Sequence, residues 1–308
     1  MSNMQYIYGP VPSRRLGISL GVSPIPKKTC NYSCIYCQLG RTDHLTNTRK
    51  MFFPVKEIIK EFEQVLRNNL EFDVVTIVGE GEPTLYLGLG ELIEKIKRGT
   101  DKPVAVITNG ALLYDQNVQA ELMKADIVLP SMDAYDNFSY KKINRPHGTL
   151  DFHNVHRGLK IFSKKYQGQL WLEIMLMRDI NDDDASMEKY SDLLKSIKYD
   201  RLYLNTPVRP PVEAHVKPIE NEKINRAVEF LGGISIDLLF SHGFHSEIAD
   251  HYDAIMSIIK RHPMNQFEIN RFLELRGCNY ISNIFNDLES DCKVEKINYK
   301  GYDTYRLI

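Results

Sequence analysis

Short runs of β-branched and aliphatic residues recur along the first 240 positions, separated by stretches whose apolar residues fall three and four apart. The runs are ISLGV (18–22), DVVTIV (73–78), PVAVIT (103–108), DIVLPS (126–131), LWLEIMLM (170–177) and RLYLN (201–205). With little polar alternation, they predict strands buried on both faces. Between them, VKEIIKEFEQVLRNN (55–69) puts Val55, Ile58, Ile59, Phe62, Val65 and Leu66 on one helical stripe. Helices are likewise expected at 89–97, 115–124, 150–165 and 183–198, the last opening with the acids that a helix N-terminus prefers. Six strand–helix alternations predict an α/β fold with a helix-covered parallel sheet. An incomplete barrel and a doubly wound sheet both fit this pattern. In either, the working residues sit at the C-terminal ends of the strands.

The pattern changes after residue 240. HSEIADHYDAIMSIIKRHP sets Ile248, Tyr252, Ile255, Met256 and Ile259 on one helical face. A second helix begins near NQFEINRFLEL, with Asn265 and Glu268 as a capping pair, and a third is NYISNIFNDLES, capped by Asn279. KVEKINYKGYDTYRLI then reads as two strands about a Lys300-Gly301 turn. The expectation is a barrel-like domain over 1–240 and a small winged-helix-like domain over 246–308.

The apolar share of 43% and charged share of 26% are ordinary for a globular protein. No apolar run approaches membrane-spanning length, and MSNMQYIYGP lacks the charged-then-apolar pattern of a signal peptide. A cytoplasmic protein with no membrane partner is therefore expected, in which clustered cysteines bind metal or do redox chemistry rather than form disulfides. The formal net charge of −1 hides an uneven distribution. Residues 1–50 carry seven cations (Arg14, Arg15, Lys27, Lys28, Arg41, Arg49, Lys50) against the single acid Asp43. Such a block suits an anionic ligand such as phosphate or an RNA backbone, or simply a solvated surface.

Three of the five cysteines, Cys30, Cys34 and Cys37, lie in KTCNYSCIYCQLG. A structural zinc site closes with four protein ligands, and His44 is the one nearby candidate for a fourth. A [4Fe–4S] cluster also takes four ligands, so three cysteines would leave one iron open to a small molecule.

C-x3-C-x2-C with Tyr36 before the last cysteine resembles the signature of the radical S-adenosylmethionine superfamily. That resemblance implies a partial (β/α)6 TIM-like barrel with a [4Fe–4S] cluster on the three cysteines and S-adenosylmethionine on the open iron. It also implies an electron donor of flavodoxin or ferredoxin type. Gly81-Glu82-Pro83-Thr84 is similar to the superfamily's GGEP motif, with Glu80 in place of the first glycine. By resemblance Gly81 and Glu82 hold the methionyl ammonium. Tyr36, Thr108, Asn109, Ser131, Asp133 and Asn205 would complete the cofactor site. YGPVPSRRLGISLGV, EPTLY and LNTPVRPP resemble, more narrowly, a group allied to the wyosine-forming tRNA enzymes, although no cysteine precedes Cys30. This implies an RNA base as substrate, with a peptide or protein side chain as second choice. Arg145, His147 and Arg209, on loops at the active rim, are candidate substrate contacts. The rival function is an iron–sulfur sensor whose winged helix reads DNA. Residues 250–308 hold eight Lys and Arg against nine Asp and Glu, which is no nucleic-acid footprint, so sequence-specific DNA binding is not expected.

Overall fold

The computed structural model describes residues 4–68, 70–236, 244, 246, 248–299 and 302–308. In chain order the first part holds β1 (Ile7–Ser13), β2 (Gly17–Val22), β3 (Thr29–Cys30), β4 (His44–Leu45), α1 (Val55–Leu66), β5 (Val74–Ile77), α2 (Leu89–Gly99), β6 (Val104–Thr108) and α3 (Gln116–Leu122). It continues with β7 (Ile127–Pro130), α4 (Asn137–Ile143), α5 (Phe152–Lys165), β8 (Gln169–Met175), α6 (Asp184–Leu194), β9 (Arg201–Asn205), α7 (Asn221–Leu231) and β10 (Ile234–Ser235). The main sheet runs β1-β2-β5-β6-β7-β8-β9-β10. β1 and β2 are antiparallel, and every later neighbouring pair is parallel. With β1 and β10 at opposite ends of the ladder, this is the partial barrel, and the six apolar runs are its parallel strands from β2 to β9.

The period of two along each strand separates two cores. Val75, Ile77, Val104, Val106, Val128, Leu172, Ile174, Leu202 and Leu204 face the helices and join their apolar stripes. The alternate residues Val74, Ala105, Ile127, Leu129, Trp171 and Tyr203 pack with Leu16 in a second cluster that fills the lumen. Toward the C-terminal strand ends the lumen face turns polar, with Ser131, Glu173 and Asn205, as the site needs. Asp115, Asp136, Asp151 and Asp183 cap α3, α4, α5 and α6, each accepting from a first-turn amide. Such caps contribute about 1 kcal/mol each.

The remainder holds α8 (His251–Ile259), β11 (Met264–Asn265), α9 (Gln266–Leu275), α10 (Ile281–Ser290), β12 (Val294–Tyr299) and β13 (Tyr302–Leu307), with sheet order β11-β13-β12. Its core of Ile255, Ile259, Met264, Phe272, Leu273 and Leu288 also takes in Val11 of β1. The capping pair Asn265 and Glu268 forms as expected. The cap expected from Asn279 does not: Tyr280 occupies the N-cap of α10, with no side-chain hydrogen bond. The Lys300-Gly301 turn and the expected boundary at residue 240 lie outside the described residues. This segment seats on the barrel through Arg261 to Gln5 O (2.7 Å), Tyr299 Oη to Pro207 O (2.5 Å) and Lys27 Nζ to Ile308 O (2.7 Å). No helix among the described residues is long and apolar enough to cross a membrane.

Candidate functional site

The cysteine loop leaves the end of β2 and is fastened to the turn after β5 and to the end of α4. Lys28 N donates to Glu80 O (2.5 Å) and Glu82 N to Thr29 O (3.1 Å), lacing residues 28–29 to the turn after β5. Gly81 makes this possible, because a Cβ there would stand 1.8 Å from Thr29 O. On the far side, Ser33 N donates to Asn144 O (3.0 Å) and Ile35 N to Ile143 O (3.0 Å), holding the loop against the end of α4.

Two side-chain amides approach the thiols. Asn109 Nδ2 is 3.6 Å from Cys30 Sγ, and Asn144 Nδ2 is 3.5 Å from Cys34 Sγ. Burial pushes all three thiols above their ordinary range. At Cys37 the Leu39 backbone and the nearby charges of Arg306 and Lys28 work against it. Among the described residues, no three His, Cys, Asp or Glu gather around one ion-sized point. A [4Fe–4S] cubane takes each thiolate on a separate iron, and three cysteines on one loop can supply three of its four ligands. His44 is exposed.

Glu82, 2% exposed, collects four donors. Its Oε1 accepts from Thr84 N (2.9 Å), Thr84 Oγ1 (2.5 Å) and Thr108 Oγ1 (2.6 Å), and its Oε2 from Asn109 N (2.8 Å). Burial raises its pKa, and these bonds oppose the rise. Gly110, at φ +75, lets the chain turn so that Thr108 and Asn109 both reach this carboxylate. Asp133 is the second hub. Its Oδ1 accepts from Met175 N (3.0 Å), and its Oδ2 accepts from Asn144 Nδ2 (3.1 Å) and the Tyr36 hydroxyl. Burial lifts its pKa to about 6, against the pull of the Tyr36 hydrogen bond. Tyr32, Asn109, Gly110, Ser131, Asp133 and Asn144 line one small cavity. A larger one, about 410 Å³, lies between α6 and α7 and is lined by none of these residues.

The site residues expected from sequence therefore fall into groups. Cys30, Asn109, Thr108 and Glu82, with Gly81 beside it, form one hydrogen-bonded group, and Cys34, Asp133 and Tyr36 form a second through Asn144, to which Cys37 is tied by its N–H to Cys34 O (3.1 Å). Ser131 and Asn205 stand on the lumen face beside them, Asn205 Nδ2 donating to Glu173 Oε1 (3.3 Å). The candidate substrate contacts do not converge there. Arg209 turns toward the C-terminal segment, bonding Pro263 O and His262 Nε2 and pairing with Glu268 (3.3 Å). Arg145 is paired with Glu213 (2.6 Å), which also holds Arg41 (3.0 Å). The His147 ring meets Thr149 at an exposed position. Sequence reasoning missed Asn144, which joins Cys34 to Asp133, and Asn31, whose Oδ1 accepts from Asn109 (2.7 Å). It also missed Arg15, paired with Glu173 in the lumen. Single Asn and Arg residues outside any spaced motif carry no signal of such a role.

The Radical SAM superfamily matches residues 25–190. The chain is 35% identical over 306 residues to the UPF0026 protein of Methanocaldococcus jannaschii, covering 97% of this chain and 94% of that one. It is 41% identical over 224 residues to a protein named GTPase Obg from Brachyspira hyodysenteriae, covering 73% of this chain but only 33% of that longer one. Among solved structures, TYW1 with a lysine-pyruvate adduct bound is similar in fold, with a TM-score of 0.52 and 21% identity. That likeness covers 69% of this chain and 72% of TYW1. A [4Fe–4S] cluster and S-adenosylmethionine are the cofactors of the superfamily. A three-cysteine loop on a partial barrel, matched over more than half its length and aligned almost end to end with a UPF0026 protein, belongs to the radical S-adenosylmethionine superfamily and to its UPF0026 proteins.

Proposed function

We propose that this chain is an enzyme that holds one [4Fe–4S] cluster on Cys30, Cys34 and Cys37, with S-adenosylmethionine beside it at the strand ends. Bound together, the two groups would supply a 5′-deoxyadenosyl radical, by one-electron cleavage of the sulfonium, to take hydrogen from a substrate. One observation carries the reading: Asn109 and Asn144 tie two cysteines to the carboxylates of Glu82 and Asp133 on the same rim. In this reading Glu82 orients the ammonium of the cofactor, with Gly81 allowing close backbone approach. Tyr36, Thr108, Asn109, Ser131, Asp133 and Asn205 line its remainder, and the apolar plug beneath keeps water out of the lumen.

We place the substrate among tRNA bases, with a peptide or protein side chain second. The narrower sequence resemblance supports this, as does the excess of cations over acids in residues 1–50. The reductant would be of flavodoxin or ferredoxin type, in the cytoplasm. The barrel, 1–240, and a winged-helix-like domain, 246–308, would form one substrate wall rather than a DNA reader. The rival sensor leaves the four donors on Glu82 without a task. The test is anaerobic reduction of the cluster-loaded protein with S-adenosylmethionine. 5′-Deoxyadenosine and methionine should form in equal amounts. A reduced, cofactor-bound protein that forms neither would refute the enzyme.

A further inference from the structure

We infer that Glu80 and Arg261 are positioning residues for the cofactor site, with an ion pair from the C-terminal segment fixing the turn that carries Glu82. The inference rests on the reading that Glu82 faces S-adenosylmethionine. Glu80 stands where the GGEP pattern has glycine, so its carboxylate is an addition particular to this turn. That carboxylate is buried, 4% exposed. Its Oε2 lies 3.4 Å from Arg261 Nε and 4.0 Å from Lys260 Nζ, both at the end of α8. Neither Glu80 Oε1 nor Arg261 Nε has a hydrogen bond among the described residues. Charge attraction in a water-poor setting therefore holds this contact, and each partner depends on the other to be tolerated there.

Arg261 is itself held in place. One of its terminal nitrogens donates to Gln5 O (2.7 Å), and its guanidinium sits 4.8 Å from the centre of the Tyr8 ring. Tyr8 in turn lies flat on β2, where its ring would collide with a Cβ at Gly21. The cation is thus referenced to the first two strands. The anion is referenced to the site: Glu80 O accepts from Lys28 N, Glu80 N donates to Ser23 Oγ (3.3 Å), and two residues on Glu82 N binds Thr29 O. A shift of the Glu80 side chain would carry along the backbone that aims the Glu82 carboxylate and borders Cys30.

The experiment compares wild type, Glu80→Gln, Arg261→Met and the double variant as full-length, cluster-loaded proteins. It records iron content, thermal midpoint, S-adenosylmethionine affinity by anaerobic dialysis, and the change that S-adenosylmethionine causes in the electron paramagnetic resonance spectrum of the reduced cluster. The single variants should keep full iron, bind S-adenosylmethionine about tenfold or more weakly, and show a diminished spectral change, because small misplacements of binding groups are costly. The double variant, with no orphaned charge, should recover thermal stability but not affinity. If affinity returns along with stability, the pair is merely structural and the inference fails. Should Arg261→Met not fold, Glu80→Gln is read alone. Wild-type affinity and spectrum in that variant also overturn the inference. A wild type that binds no S-adenosylmethionine overturns the parent reading, and this one with it.

Discussion

Glu82→Gln is the sharpest perturbation of the cofactor site. Truncation to Ala would strand the backbone amides of Thr84 and Asn109, both now bonded to the carboxylate. At about 1–3 kcal/mol for each unsatisfied buried donor, that alone could unfold the turn and confuse any binding measurement. Gln keeps the shape and leaves one oxygen to accept from Thr84 and Thr108. Its amide group then faces the Asn109 N–H, donor against donor. One lost acceptor should cost about 1–3 kcal/mol, and at about 2–4 °C per kcal/mol for a chain of this size the thermal midpoint should fall by about 2–12 °C. Loss of the charge-assisted bond to the cofactor ammonium should cost a further ~1.5–3 kcal/mol of binding, or about 10- to 150-fold in Kd. Iron content should stay at the wild-type level, since no cysteine is disturbed. Isothermal titration of the cluster-loaded variant with S-adenosylmethionine measures the effect. A Kd within about threefold of wild type, together with the fall in thermal midpoint, would show that Glu82 only braces its turn and that the ammonium lies elsewhere.

Replacing Cys30, Cys34 and Cys37 together with Ala should abolish the uptake of about four irons on anaerobic reconstitution, and iron retained at the wild-type level would end the cluster assignment. His262 packs against Phe244 and Arg209, and burial, then the charges of Arg209 and Arg14, push its pKa well down. As pH falls below about 6.5 the unfolded chain takes up a proton that the folded one refuses, so stability present at neutral pH should be lost on acidification. Urea unfolding between pH 7.5 and 5.5 should show this loss in wild type and a smaller one in His262→Gln; equal slopes would refute it. Duplex DNA titrated into the full chain at low salt should show no sequence-selective sub-micromolar binding, and finding it would restore the sensor hypothesis.

The parallel strands were legible because strands buried on both faces must be continuously apolar, as Val74–Ile77 and Ile127–Pro130 are. β1 escaped notice because IYGPVPS carries two prolines and lies at the sheet edge with an irregular register. α4 buries only Ser139, Tyr140 and Ile143, and α7 only Ile224, Ala227 and Leu231. The spaced motifs were readable because each ends a strand, and strand ends meet on one rim whatever the loops do. Tertiary partners were not. Nothing near Arg209 in sequence announces Glu268, and the acid that departs from the motif at Glu80 is answered by Arg261 and Lys260, in another part of the chain. The Asn279 cap looked sound by spacing, but the chain enters α10 one residue later.

The lacing of residues 28–29 to 80–82 also bears on how the protein matures. Thr29 and Lys28 find their partners some fifty positions onward, and Ser33 and Ile35 find theirs at the end of α4, so the cysteine loop is fully laced only when β5, the turn behind it and α4 are all in place. The seat for the cluster is therefore built from parts of the chain far apart in sequence, and a nascent chain that ends before β5 cannot yet offer it.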